Sequence, residues 1–65
     1  MMKPYQQRVV SERGELGEKF FKLLALFQTD TFSGLSEAEK SRLCKQAEFM
    51  DLYSSVLEER IAAFD

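Results

Sequence analysis

Val9, Leu16, Phe20, Leu23 and Phe27 follow one another at steps of seven, four, three and four. On a helix of 3.6 residues per turn those steps align in a single apolar stripe. The pattern predicts a first helix over about 4–28, with Pro4 in the opening turn, where a missing N–H costs nothing. Glu12, Glu15 and Glu18 interleave there with Arg8, Arg13, Lys19 and Lys22. Glu15 to Lys19 and Glu18 to Lys22 are expected to pair at i,i+4 on a solvated face.

Residues 29–35 gather Thr, Asp, Ser and Gly around the apolar Phe32, the composition of a turn. Ser36 with Glu39 reads as a capping box: the Ser hydroxyl accepts from the Glu39 amide, and the Glu side chain reaches back to the cap. Leu35 and Lys40 occupy the two positions of a hydrophobic staple, which is therefore half present. A second helix is predicted over about 36–64. Its seam is Leu43, Ala47, Met50, Ser54, Leu57, Ile61 and Phe64, at alternating steps of four and three. Two long helices joined by a short turn form an antiparallel hairpin, so the fold class is all-α and residues 1–65 make a single helical-hairpin domain.

Each helix has apolar residues left over. Val10, Phe21 and Leu24, with Gly14 and Gly17 between them, lie off the first seam; Phe49, Tyr53, Val56 and Ala63 lie off the second. A hairpin of this length buries little surface through one seam. The surplus stripes therefore predict a homo-oligomer in which Val10, Phe21, Leu24, Phe49, Tyr53 and Val56 pack between protomers. Gly14 and Gly17 each cost about 1 kcal/mol relative to Ala inside a helix. They are read either as a tolerated weakness or as room for another helix or a ligand to approach.

Composition narrows the function classes. No apolar run approaches the roughly 18 residues a membrane span requires, and the first eight residues lack the apolar core of a signal peptide. The single cysteine, Cys44, falls on the polar side of the second helix with Glu37, Lys40 and Glu48, and is read as an incidental thiol in a reducing compartment. With no His and one Cys a zinc site is not expected, and no cofactor is predicted. The net charge of −2 argues against duplex nucleic acid as a partner.

The chain is not read as an enzyme. Its carboxylates sit among bases on exposed faces, no His is available for acid–base work, and Gly14–Gly17 lies within a helical pattern that matches no phosphate-binding loop. Binding is better supported. An antiparallel hairpin brings Lys3, Tyr5 and Arg8 at the start of the first helix close to Arg60 near the end of the second. Three bases, an aromatic ring and the electropositive helix start would suit a phosphate with a stacked base. Against this stands a plainer reading, in which Arg60 pairs with a glutamate and Tyr5 caps the core.

The order of residues also resembles a known family. Tyr5–Val10 (Tyr-Gln-Gln-Arg-Val-Val), then Leu16, Glu18, Lys19, Lys22 and Leu23, a turn with Phe32 and Leu35, and Met50, Tyr53, Leu57, Arg60 and Ile61 are similar to the phage helical-hairpin proteins that inhibit bacterial CBASS immunity. The same hairpin occurs in larger anti-Thoeris sponges, and this chain is similar to the minimal form without their β-rich portion. The resemblance spans nearly the whole chain. It implies a non-catalytic sponge that binds and sequesters cyclic di- or trinucleotide second messengers between protomers of a homo-oligomer, commonly a hexamer, in the cytoplasm of the infected host. By matching positions, Tyr5 would stack on a base, Arg8 and Lys19 would meet phosphate, Arg60 would contribute from the second helix, and Lys22 would be an accessory base. The chain departs from the family pattern at Gly14 and Gly17, where Ala and a charged residue are more common, and at the bulky Phe20–Phe21. The competing function is an oligomeric protein-interaction hairpin, an adaptor or inhibitor of a host protein with no nucleotide ligand. An RNA-binding hairpin is disfavoured by the acidic balance.

Overall fold

The computed structural model of the chain describes residues 1–64. Helix α1 spans Pro4–Leu26, a single helical turn α2 spans Asp30–Ser33, and helix α3 spans Glu37–Ala62. α1 and α3 pack against each other as an antiparallel hairpin 48 Å long and 15 × 13 Å across. Both long helices stop two residues short of their expected ends. The first ends at Leu26 rather than Gln28, and the second at Ala62 rather than Phe64.

Thr29 explains the first stop. Its extended backbone breaks the helix, and its hydroxyl serves both sides of the break: Oγ1 donates to the Leu26 carbonyl at 2.6 Å and accepts from the Phe32 amide at 3.2 Å. One side chain thus closes α1 and caps α2, so the connection predicted as a turn contains a helical turn of its own. Phe32 sets its ring edge against Phe27 with centroids 5.0 Å apart, and the Lys40 ammonium lies 5.8 Å over the Phe32 ring. Ser36 caps α3 as expected, its Oγ accepting from the Glu39 amide at 3.1 Å. The reciprocal half of the box is absent, because the Glu39 carboxylate accepts instead from Arg42 Nε at 2.7 Å.

The seam follows the predicted stripes. Val9, Leu23, Ala47 and Leu57 are buried, while Leu16, Phe20, Phe27, Leu43, Met50, Ser54, Ile61 and Phe64 are half-buried. Gln6 is buried too, a polar residue inside an apolar layer. Its Oε1 accepts from the Lys3 amide at 2.9 Å and so caps the start of α1. The surplus stripes are exposed: Phe21 at 71%, Phe49 at 66% and Val56 at 50% are the clearest cases. Leu52, outside the predicted stripe, adds to it at 60%.

The expected i,i+4 pairs on α1 do not form. Among the described residues the ion pairs are Arg13–Glu58, Lys40–Glu37 and Arg42–Glu39. Arg13 leaves its own helix to meet Glu58 on α3, with Nε 3.1 Å from Oε1 and Nη2 on the same oxygen. Gly17 lies beside this reach. A Cβ there would come within 3.0 Å of the Arg13 guanidinium, whereas a Cβ on Gly14 would meet nothing within 4 Å. Nothing in the chain itself crowds Gly14.

Candidate functional site

Two contacts across the seam determine which flanks of the helices share a face. Tyr5 and Phe64 meet edge to face with ring centroids 6.1 Å apart. Arg13 and Glu58 meet on the opposite side of the seam. At about 100° per residue, Tyr5, Arg8, Lys19 and Lys22 lie on one flank of α1, and Val10, Gly14, Gly17, Phe21 and Leu24 lie on the other with Arg13. On α3, Phe49, Tyr53, Val56 and Arg60 share the Phe64 flank, whereas Glu48 and Asp51 share that of Glu58. The two surplus apolar strips therefore occupy opposite faces of the hairpin.

All five residues nominated from the sequence fall on one face. Tyr5, Arg8, Lys19, Lys22 and Arg60 are exposed, and none of the four bases makes an ion pair among the described residues. The same face presents the rings of Phe49 and Tyr53, 66% and 45% exposed. An acidic chain thus gathers a local basic surface beside aromatic rings, the combination that suits a phosphate joined to a base.

Reach limits what one chain can do. Tyr5 and Lys19 are 14 residues apart on a straight helix, about 21 Å, and Tyr5 and Lys22 about 26 Å. No small ligand contacts both ends of that row within a single copy. Near the hairpin end, Tyr5 is half exposed even with its ring edge on Phe64, so one ring both covers the seam and offers a face. Arg60 sits in the last turn of α3, where its charge complements the helix C-terminus. An open groove along the outer side of α1 is lined by Pro4, Gln7, Arg8, Ser11, Glu12 and Glu15. Its two carboxylates flank Arg8 and make it a poor phosphate site by itself.

Sequence patterning marks Phe49 and Tyr53 only as apolar contact residues, and it does not single out Lys45, one turn before Phe49 at the outer edge of this face. The periodicity of α3 carries the signal for all three. Assigning them to the basic face requires knowing which flanks of the helices adjoin.

No helix among the described residues is long and apolar enough to cross a membrane. A family model described as Sequestin matches residues 3–63, nearly the whole hairpin. Sequestin is the family of phage anti-CBASS and anti-Thoeris sponges to which the sequence bears its resemblance. No curated protein and no solved structure matches the chain.

Proposed function

We propose that this chain, which belongs to the Sequestin family, binds cyclic di- or trinucleotide second messengers and holds them without cleaving them. Sequestration of the messenger in the infected cell's cytoplasm would keep the CBASS effector inactive. The observation that carries this reading is the basic, aromatic face. Arg8, Lys19, Lys22 and Arg60 stand without ion-pair partners among the described residues, beside Tyr5, Phe49 and Tyr53. Each charge-assisted bond from these bases to a phosphate contributes about 1.5–3 kcal/mol. Because the row is longer than a small ligand, the site draws on more than one copy in a homo-oligomer, a hexamer in the form the family resemblance implies. Tyr5 stacks on a base, Arg8 and Lys19 meet phosphate, and Lys22 and Arg60 complete the charge.

Isothermal titration against a panel of cyclic di- and trinucleotides tests the proposal, with the ligand recovered after denaturing the protein. The expected result is tight binding of at least one panel member and its recovery intact. Silence across the panel would sink the binding reading, and recovery of a linearised product would make the protein an enzyme.

The exposed strips favour one other reading, a protein-interaction hairpin that docks a host protein. A monomer whose melting temperature is unmoved by every nucleotide would support it over the sponge.

A further inference from the structure

The unpaired charges divide between the faces as the apolar strips do. The face with Val10, Phe21 and Leu24 carries exposed Glu48 and Asp51 on its α3 side. The face with Phe49, Tyr53 and Val56 carries exposed Arg8, Lys19 and Lys22 on its α1 side, an excess that Glu12 and Glu15 reduce but do not cancel. None of these charges is paired among the described residues. Each face therefore sets an apolar strip on one helix beside charge on the other, with strip and sign exchanged between the two faces.

We infer that copies of this chain associate heterologously, the acidic-sided face of one copy on the basic-sided face of the next, related by a half-turn about the face normal. That half-turn lays the α1 strip of one copy on the α3 strip of its neighbour. In the same step it opposes Glu48 and Asp51 to the neighbour's Arg8, Lys19 and Lys22. A copy stacked without the half-turn would instead set Val10 and Phe21 on the neighbour's basic flank, desolvating its charges with no partner. Like faces meeting across a two-fold axis would oppose charges of one sign. The apolar strips supply the burial, and the charges select the pairing. A heterologous contact leaves one face open at each end, so it repeats until the assembly closes on itself.

The inference rests on the self-association proposed above and not on the nucleotide, so the experiment contains none. Sedimentation equilibrium is measured at low and high salt on four samples. These are the parent, the pair Glu48→Lys with Asp51→Lys, the pair Lys19→Glu with Lys22→Glu, and an equimolar mixture of the two variants. The parent is expected to assemble less tightly as salt rises. Each variant should show a dissociation constant raised about tenfold or more, and the mixture should recover the parent's assembly. A parent that is monomeric throughout would overturn both the inference and the proposed oligomer. Assembly of either variant as tightly as the parent, or tightening of the parent with salt, would overturn the inference alone. The salt series needs no variant, so it decides even if a substituted chain fails to fold. Failure of the nucleotide titration leaves this result untouched.

Discussion

Arg13 of α1 and Glu58 of α3 join across one side of the hairpin, 45 residues apart in sequence. The pair ties the two helices at one register and marks which flanks adjoin. It is partly exposed, with 35% and 58% of the two side chains accessible, so its contribution is modest. Arg13→Ala is expected to cost about 0.5–1 kcal/mol. That corresponds to a drop of a few degrees in melting temperature for a domain of this size, measured by circular dichroism. Raising the salt concentration should shrink the difference between parent and variant.

Among the described residues, Leu57 is the one large side chain with no exposure at all. Leu57→Ala removes the centre of the seam and should destabilise the hairpin by about 2–5 kcal/mol. Thermal unfolding should shift sharply downward, while Leu52→Ala, at an exposed position, should leave the melting temperature of an unassociated chain nearly unchanged.

Thr29 caps α2 and closes α1 with the same hydroxyl. Thr29→Ala should cost about 1–2 kcal/mol, near the upper end for a cap, because both helix ends lose a partner. Thr29→Ser keeps the oxygen and should recover most of the loss. Equal melting temperatures for the two variants would show that the hydroxyl is not what stabilises the turn.

Gly14 separates helix stability from assembly. A Cβ there meets nothing within 4 Å in the chain, so Gly14→Ala should raise the stability of the single hairpin by up to about 1 kcal/mol. If another copy packs closely on the α1 strip, the same substitution should weaken self-association. Helicity at low concentration and sedimentation at high concentration read the two effects separately.

Tyr5→Ala and Lys19→Ala test the assignment of the nucleotide face from its two ends. Each should weaken nucleotide binding by about tenfold or more, as expected from loss of one stacked ring or one charge-assisted bond, while the oligomer persists. Titration of both variants with the nucleotide that binds the parent checks this. Parent-like affinity in both would remove Tyr5 and Lys19 from the site.

Much of this fold is legible in the spacing of apolar residues along the chain. Every residue assigned to the seam from its spacing is buried or half-buried, and every apolar side chain assigned to the surplus strips is exposed. These are local properties: a period of 3.6 sorts side chains onto faces whatever the rest of the chain does. The departures are equally physical. Glu15, Glu18, Lys19 and Lys22 have favourable spacing, but exposed pairs of this kind contribute only a few tenths of a kcal/mol, too little to hold long side chains in one geometry. Glu39 has two donors within reach and accepts from Arg42 rather than from the cap. Buried Gln6 shows no apolar signal, since its place depends on a hydrogen bond to Lys3.

For the candidate site, residue types and helix positions identify Tyr5, Arg8, Lys19, Lys22 and Arg60 but not their common setting. Sequence by itself determined two amphipathic helices, their seams, the cap at Ser36 and the presence of an apolar surplus. Only the tertiary structure decided that the surplus divides between opposite faces, one acidic at its side and one basic. Face membership across two helices depends on chain direction and register. Those follow from the Thr29 turn, the packing of Phe27 on Phe32 and the pairing of Arg13 with Glu58, contacts that arise only once the chain has doubled back.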